Sequence, residues 1–227
     1  MFTGFSEETI QFFLDLKFHN NTEYFHQEHD RYVETVQKPF YAMIEALAPL
    51  MRSIDPSMEL RPHKCLSRIH RDTRFSRDKS PYRDHLWFLF RKAAEPREGS
   101  LFYYFEFGVD KLSWGMGFWG ENRPVMDHFR NILIARPEEI AGVTDAFMRN
   151  RRGLYLGGSA HKRMAVPATL PERLKRWYLC RELYIGKAEI PYAMAFSEDL
   201  LPEVEKDFRT IAPVYKMFRH MADETED

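Results

Sequence analysis

The sequence predicts an α+β fold, an antiparallel sheet of aromatic-rich strands with helices towards both chain ends. Three observations predict it. Apolar residues recur at helical spacing over residues 6–51 and again after residue 122. Between them lie three short segments rich in aromatic rings and bounded by turn residues, HLWFLFRK (85–92), LFYYFEFGV (101–109) and LSWGMGFWG (112–120). Helices, then hairpin strands, then helices is also not the strand–helix alternation of a doubly wound nucleotide fold. A chain of 227 residues can bury a substantial core, and it shows no repeat, low-complexity tract or linker, so one domain over 1–227 is expected.

The elements follow in order. Ser6 is placed to cap a helix through about Lys17, with Ile10, Phe13, Leu14 and Lys17 in register, Glu7 and Glu8 at its positive end, and Phe2 and Phe5 ahead of it as staples. Asn20-Asn21 ends it and Thr22 can cap the next helix, which carries Tyr24, Phe25, His29, Tyr32, Val33 and Val36. Pro39 should interrupt that pattern before more helix from Phe40 to Met51. A strand pattern at 64–70 leads into the aromatic strands, with VDKL as a tight turn between the last two. Gly115 and Gly117 strip one face of the last strand, which calls for a closely packed helix or for a ligand against the backbone. Asn122 and Pro124 open a helix to about Ala135, and Pro137 opens another to about Arg151. Residues 157–171 read as loop, Pro171 starts a short helix to Leu179, ELYIGKAEI is a strand, and Ser197 caps the last helix.

Composition bounds the function. Hydrophobic residues at 44% and charged residues at 30% are ordinary for a soluble globular protein, whereas 19 Phe point to a ring-rich core or a ring-lined groove. A formal charge of −1 gives no global field towards nucleic acid or an anionic membrane. The charge is uneven, however. Residues 61–83 hold eight Lys/Arg against two Asp, 149–163 hold five Lys/Arg and no acid, and the acidic C-terminal helix and tail at about 198–227 holds nine acids against four bases. These segments could meet and cancel. Cys65 and Cys180 form neither a disulfide framework nor a zinc motif, MFTGFSEETI has no signal-peptide pattern, and no apolar run is long enough to span a bilayer, so a cytoplasmic location is expected.

One basic loop, at about 68–85, looks like chemistry: RIHRDTRFSRDKSPYRDH. Arginine is suited to bidentate contact with phosphate or carboxylate, and a loop on a rigid scaffold can present it. Arg71, Arg74, Arg77, Lys79 and Arg83 could converge on one anion, with Asp72 and Asp78 orienting their guanidinium groups. Lys162 and Arg163 of the second basic segment could join them. The competing reading is internal: Arg–Asp pairs within one loop satisfy each other, and Asp72-Thr73 suits a self-bonded turn.

RIHRDTRFSRDKSPYR resembles the signature of a bacterial family known as domain of unknown function 2461, R-x-x-R-D-x-R-F-S-x-D-K-x-P-Y-K/R. NNTEYF (20–25) is similar to that family's N-N-x-x-W-F, with Tyr24 in the place of the tryptophan, and the glycine pair before HKR (157–163) is a third, weaker match. AVPATLP departs from the glycine–aromatic step expected downstream. The resemblance spans roughly residues 2–215 and implies no reaction.

Other patterns carry less. His26 and His29 share a helix face but lack a third metal ligand; His63, His70 and His85 flank the loop as possible bases; Ser76 has no nucleophile elbow. GLYLGGSAHKR lacks the order of a phosphate loop. The sequence assigns no catalytic residue, metal, cofactor or oligomeric state, and leaves enzymatic activity open. Three readings stand: a site for a phosphate- or carboxylate-bearing small molecule, a nucleic-acid module using both basic segments, and a structural or interaction protein whose loop is an internal salt-bridge staple. The first is preferred, because a staple needs fewer arginines and the near-zero charge counts against the second.

Overall fold

The computed structural model describes residues 2–74 and 76–226. The fold is α+β. Helices α1 (Glu7–Phe18), α2 (Thr22–Gln27), α3 (His29–Tyr32), α4 (Lys38–Ile54) and the single turn α5 (Pro62–Cys65) precede the strands β1 (His85–Arg91), β2 (Leu101–Gly108) and β3 (Lys111–Phe118). Then follow α6 (Arg123–Ala135), α7 (Pro137–Asn150), β4 (Leu154–Gly157), α8 (Glu172–Leu179), β5 (Tyr184–Lys187) and α9 (Leu200–Glu226). Among the described residues the strands form a five-stranded antiparallel sheet in the order β1-β2-β3-β5-β4. No helix among the described residues is long and apolar enough to cross a membrane.

The chain divides into two compact units. The first comprises Met1–Phe90, Tyr104–Trp114 and Ile190–Glu205. Its core is aromatic. Phe5 packs on Phe40 and Phe107 with centroids 4.9 and 4.5 Å apart, and Phe88 stacks on Phe105 at 5.4 Å. Phe40, Met43, Ile44, Leu47, Leu50, Met51 and Ile54 form the buried stripe of α4, the spacing of an amphipathic helix. Burial of such side chains contributes roughly 1.5–3 kcal/mol each, which makes this face the main source of α4's stability.

The second unit comprises Arg91–Tyr103, Gly115–Glu189 and Lys206–Asp227. Tyr103 packs against Phe208 and Tyr215, and Phe218 against Phe118 and Phe129. Asp207 is fully buried and holds Lys187 at 2.9 Å and Arg152 at 3.7 Å. Arg152 belongs to the second basic segment, so at this point the acidic C-terminal helix does neutralise it.

Several expectations are corrected. The buried stripe of α1 is Thr9, Phe12, Phe13 and Leu16, whereas Ile10 and Leu14 are half-buried; the period is right but the face is rotated to bury both phenylalanines. Ser6 sits at the N-cap position without a side-chain cap bond. Asn21, not Thr22, caps α2, its Oδ1 accepting the Tyr24 amide at 2.9 Å. Pro39 lies inside continuing helix, because a π-helical turn, Val33–Gln37, precedes it and places the proline in the first turn of α4.

The strand expected at 64–70 is absent: Pro62 starts α5, and only isolated bridges, Leu66 with Phe88 and His70 with Tyr82, follow. β4 has no counterpart in the sequence reading, and its last residue, Gly157, falls at the start of the expected loop; Leu154 and Leu156 are buried with Tyr155 exposed between them, an alternation too short to stand out beside glycines. Ser197 caps a turn, its Oγ accepting the Asp199 amide at 3.1 Å, and α9 starts only at Leu200.

Candidate functional site

The arginine block is a hairpin that leads into β1. His70 and Tyr82 form an antiparallel bridge, closed by Arg71 N–H donating to the Pro81 carbonyl (2.8 Å) and Arg83 N–H to that of Ile69 (2.9 Å). Ile69 and Tyr82 are buried, and the Tyr82 ring stacks on Phe25 of α2 at 4.3 Å. Asn20 grips the Tyr82 main chain through both its amide atoms. The hairpin's base is therefore fixed by packing and hydrogen bonds, while its tip carries the charges. Phe75, the phenylalanine of the signature, lies outside the described residues.

At the tip most cations have internal partners. Arg74 makes a bidentate pair with Asp72, Nε at 3.0 Å from Oδ1 and Nη2 at 2.7 Å from Oδ2, and Asp72 Oδ1 also accepts the Arg74 amide at 3.1 Å. Arg71 Nη1 donates to Asp78, whose other oxygen accepts the Ser80 amide at 2.9 Å. Lys79 Nζ donates to the Thr73 carbonyl at 2.9 Å. These contacts show in the acidities. The hydrogen bond from Arg74 holds the Asp72 carboxyl down to about 2, and Ser80 first and Arg71 after it keep Asp78 below its ordinary value. Arg77 is exposed and has no ion-pair partner among the described residues.

Arg83 is different. It is half-buried, its Nε reaches the His70 carbonyl only at 3.3 Å, and its guanidinium lies over the Trp87 ring at 4.7 Å. It makes no ion pair among the described residues. Burial first, then the charges of Arg71 and Arg68, push its acidity in the direction of the neutral form, with Asp72 opposing. The charges of Arg71 and Arg68 thus act on Arg83 more strongly than that of Asp72.

Next to this cluster runs a row of titratable groups. His85 stacks on Trp87 at 5.7 Å; its Nδ1 is 2.8 Å from Asp84 Oδ1 and its Nε2 3.5 Å from Glu106 Oε1. Ser113 Oγ donates to Glu106 Oε2 at 3.3 Å, and Lys17 Nζ is 3.5 Å from Asp84 and 3.7 Å from Asp110. Gly108 lets β2 come this close, since a Cβ there would run into His85. Sequence reading noted His85 only as a flanking base and missed Arg68, Trp87 and Glu106. The period-2 alternation of Arg83, His85 and Trp87 into β1 was the available signal.

Lys162 and Arg163 belong to the second unit, where both are exposed on the segment after β4. Among the described residues no group of three His, Cys, Asp or Glu is arranged to hold a metal ion.

A family model described as a conserved hypothetical protein, DUF2461, matches residues 8–217, and the chain belongs to that family. No curated protein matches the chain.

Proposed function

We propose that this DUF2461 protein binds a small phosphate- or carboxylate-bearing molecule at the hairpin, on the side where Arg83 lies over Trp87. The observation that supports the reading is Arg83 itself, a half-buried guanidinium with no carboxylate partner among the described residues, crowded by Arg68 and Arg71. An anion there would relieve like-charge repulsion and receive bidentate hydrogen bonds. Of the residues expected at the site, Arg71 and Arg83 belong to this cluster, with Arg77 and Lys79 on the hairpin tip. Asp78 orients Arg71, as Asp72 orients Arg74. Lys162 and Arg163 are left out of this proposal, and no catalytic step is assigned.

A second reading is favoured by a specific observation: Arg71–Asp78 and Arg74–Asp72 close on themselves as an internal staple. The two are compatible if the staple shapes the loop and Arg83 serves the ligand. Calorimetric titration with inorganic phosphate, pyrophosphate, malonate and a short single-stranded DNA tests them. Saturable binding of one small anion, lost in Arg83→Gln but kept in Arg74→Gln, is the expected result. Absence of binding by all four favours the staple alone, and binding of DNA only, falling steeply with salt, favours a nucleic-acid module.

A further inference from the structure

A second group of arginines converges in the other unit. A cavity of about 450 Å³ lies beside the start of α6, within the range of about 300–1,000 Å³ usual for small-molecule sites. Arg123 and Arg130 come from α6, His161 and Met164 from the segment after β4, and Arg181 from the approach to β5. Residues distant in sequence are held together by main-chain bonds. Ala160 bridges Cys180, Arg181 N–H donates to the Ser159 carbonyl, and His161 N–H to that of Leu179, both at 2.9 Å. Arg130, only 6% exposed, fixes the same segment from beneath: its Nε donates to the Tyr178 carbonyl at 3.0 Å and its Nη1 to Asp127 at 2.6 Å.

The cavity already shows what its rim recognises. Glu121 lies between two forks, with Arg123 Nε at 3.1 Å from Oε2 and Arg181 Nη2 on Oε1. Each guanidinium has five N–H donors, so this contact leaves several on both residues. Three arginines face two carboxylates, Glu121 and Asp127, and His161 adds a ring N–H donor. Met126 supplies, with Met164, an adaptable apolar wall.

We infer that this cavity binds a small amphiphilic organic anion, its carboxylate or phosphate held by Arg123, Arg181 and His161 and its apolar body lying against Met126 and Met164. The hairpin site is in the other unit and is not required. The test is calorimetric titration of the full chain with hexyl phosphate, hexanoate and inorganic phosphate, on the wild type and on Arg83→Gln. Hexyl phosphate should saturate both proteins and, in Arg83→Gln, bind more tightly than inorganic phosphate. In the Arg83→Gln protein, where the hairpin site is silenced, Arg181→Gln and Met164→Glu should each weaken it by on the order of tenfold or more, the loss of one charge-assisted pair or of the apolar wall. His161→Gln, on a half-exposed side chain, supplies the same test if Arg181→Gln does not fold. Three results would overturn the inference: no saturation below about 10 mM, unchanged affinity in the folded variants, or loss of binding in Arg83→Gln.

Discussion

The side-chain amide of Asn20 pairs with the main chain of Tyr82 as a neighbouring strand would: Nδ2 donates to the Tyr82 carbonyl at 3.0 Å, and Oδ1 accepts the Tyr82 amide at 2.9 Å. A carboxamide carries a donor and an acceptor at the spacing of a peptide group, so it can satisfy both. Tyr82 is buried, and Phe25 stacks on its ring. The asparagine pair NNTEYF and the block ending in SPYR, separated in sequence, are therefore one structural device. The first segment clamps the base of the hairpin that the second one forms.

Asn20→Ala should destabilise the protein by about 1–3 kcal/mol, because two buried main-chain groups lose their partners together. Urea unfolding measures it. Asn20→Asp, which keeps the acceptor and loses the donor, should fall between the wild type and alanine. Equal stability of all three would mean that water replaces the clamp.

Arg74→Ala should leave the melting temperature unchanged within error, although its pair with Asp72 has the best geometry in the loop. Both side chains are largely exposed, at 76% and 52%, and solvent screens such pairs. What should change is local: amide exchange at Arg74 should quicken, since the Asp72 turn that holds it loses its partner. A large drop in melting temperature would instead make the pair a global staple.

The course of the chain was legible where periodicity is long. The three aromatic strands and helices α6, α7 and α8 appear within a residue or two of where patterning puts them. Of the two four-residue strands, β5 lies within the predicted ELYIGKAEI, but β4 escaped. β4 has four residues, and its alternation of Leu154, Tyr155 and Leu156 is masked by flanking glycines. Pro39 misled because a π-helical turn is invisible to a 3.6-residue template. For the site, residue types showed that Arg and Asp would pair, but not which arginines would be left over. Arg83 is singled out by the Trp87 ring beneath it and by the hairpin register, both tertiary facts.

Asp84 should make stability pH-dependent at the acid end. Burial by itself raises its carboxyl, but the hydrogen bond and charge of His85, with Lys17 behind, outweigh this and leave it below its ordinary value. A folded-state value below the unfolded one, which is about 4, means stability that is fully present above that pH and is lost as pH falls through the folded value. Asp84 faces His85 and Lys17, Lys17 also meets Asp110, and Glu106 faces the other side of His85. Asp84→Asn should therefore be less stable at pH 7 and lose less than the wild type on going to pH 3, as followed by urea midpoints. Parallel losses in the two proteins would show that Asp84 contributes nothing to the acid limb.

Two glycine-to-alanine changes should have opposite signs. At Gly115, opposite Gly186 in the β3–β5 pairing, a Cβ would run into the Ile185 carbonyl, with the Ile185 carbonyl carbon at 2.9 Å and Gly186 Cα at 3.0 Å. Every neighbour is backbone, so relief requires β5 to shift, and β5 carries the fully buried Ile185 and the Lys187 that meets Asp207. The cost of such overpacking is about 1–3 kcal/mol or more. At Gly142, within α7, a Cβ meets nothing within 4 Å, so alanine there gains helix propensity and should stabilise by about 1 kcal/mol. Urea unfolding of both variants decides the matter. A Gly115→Ala protein as stable as the wild type would mean that β3 and β5 are held apart in solution, and that the bare face of β3 has a cause other than close strand packing.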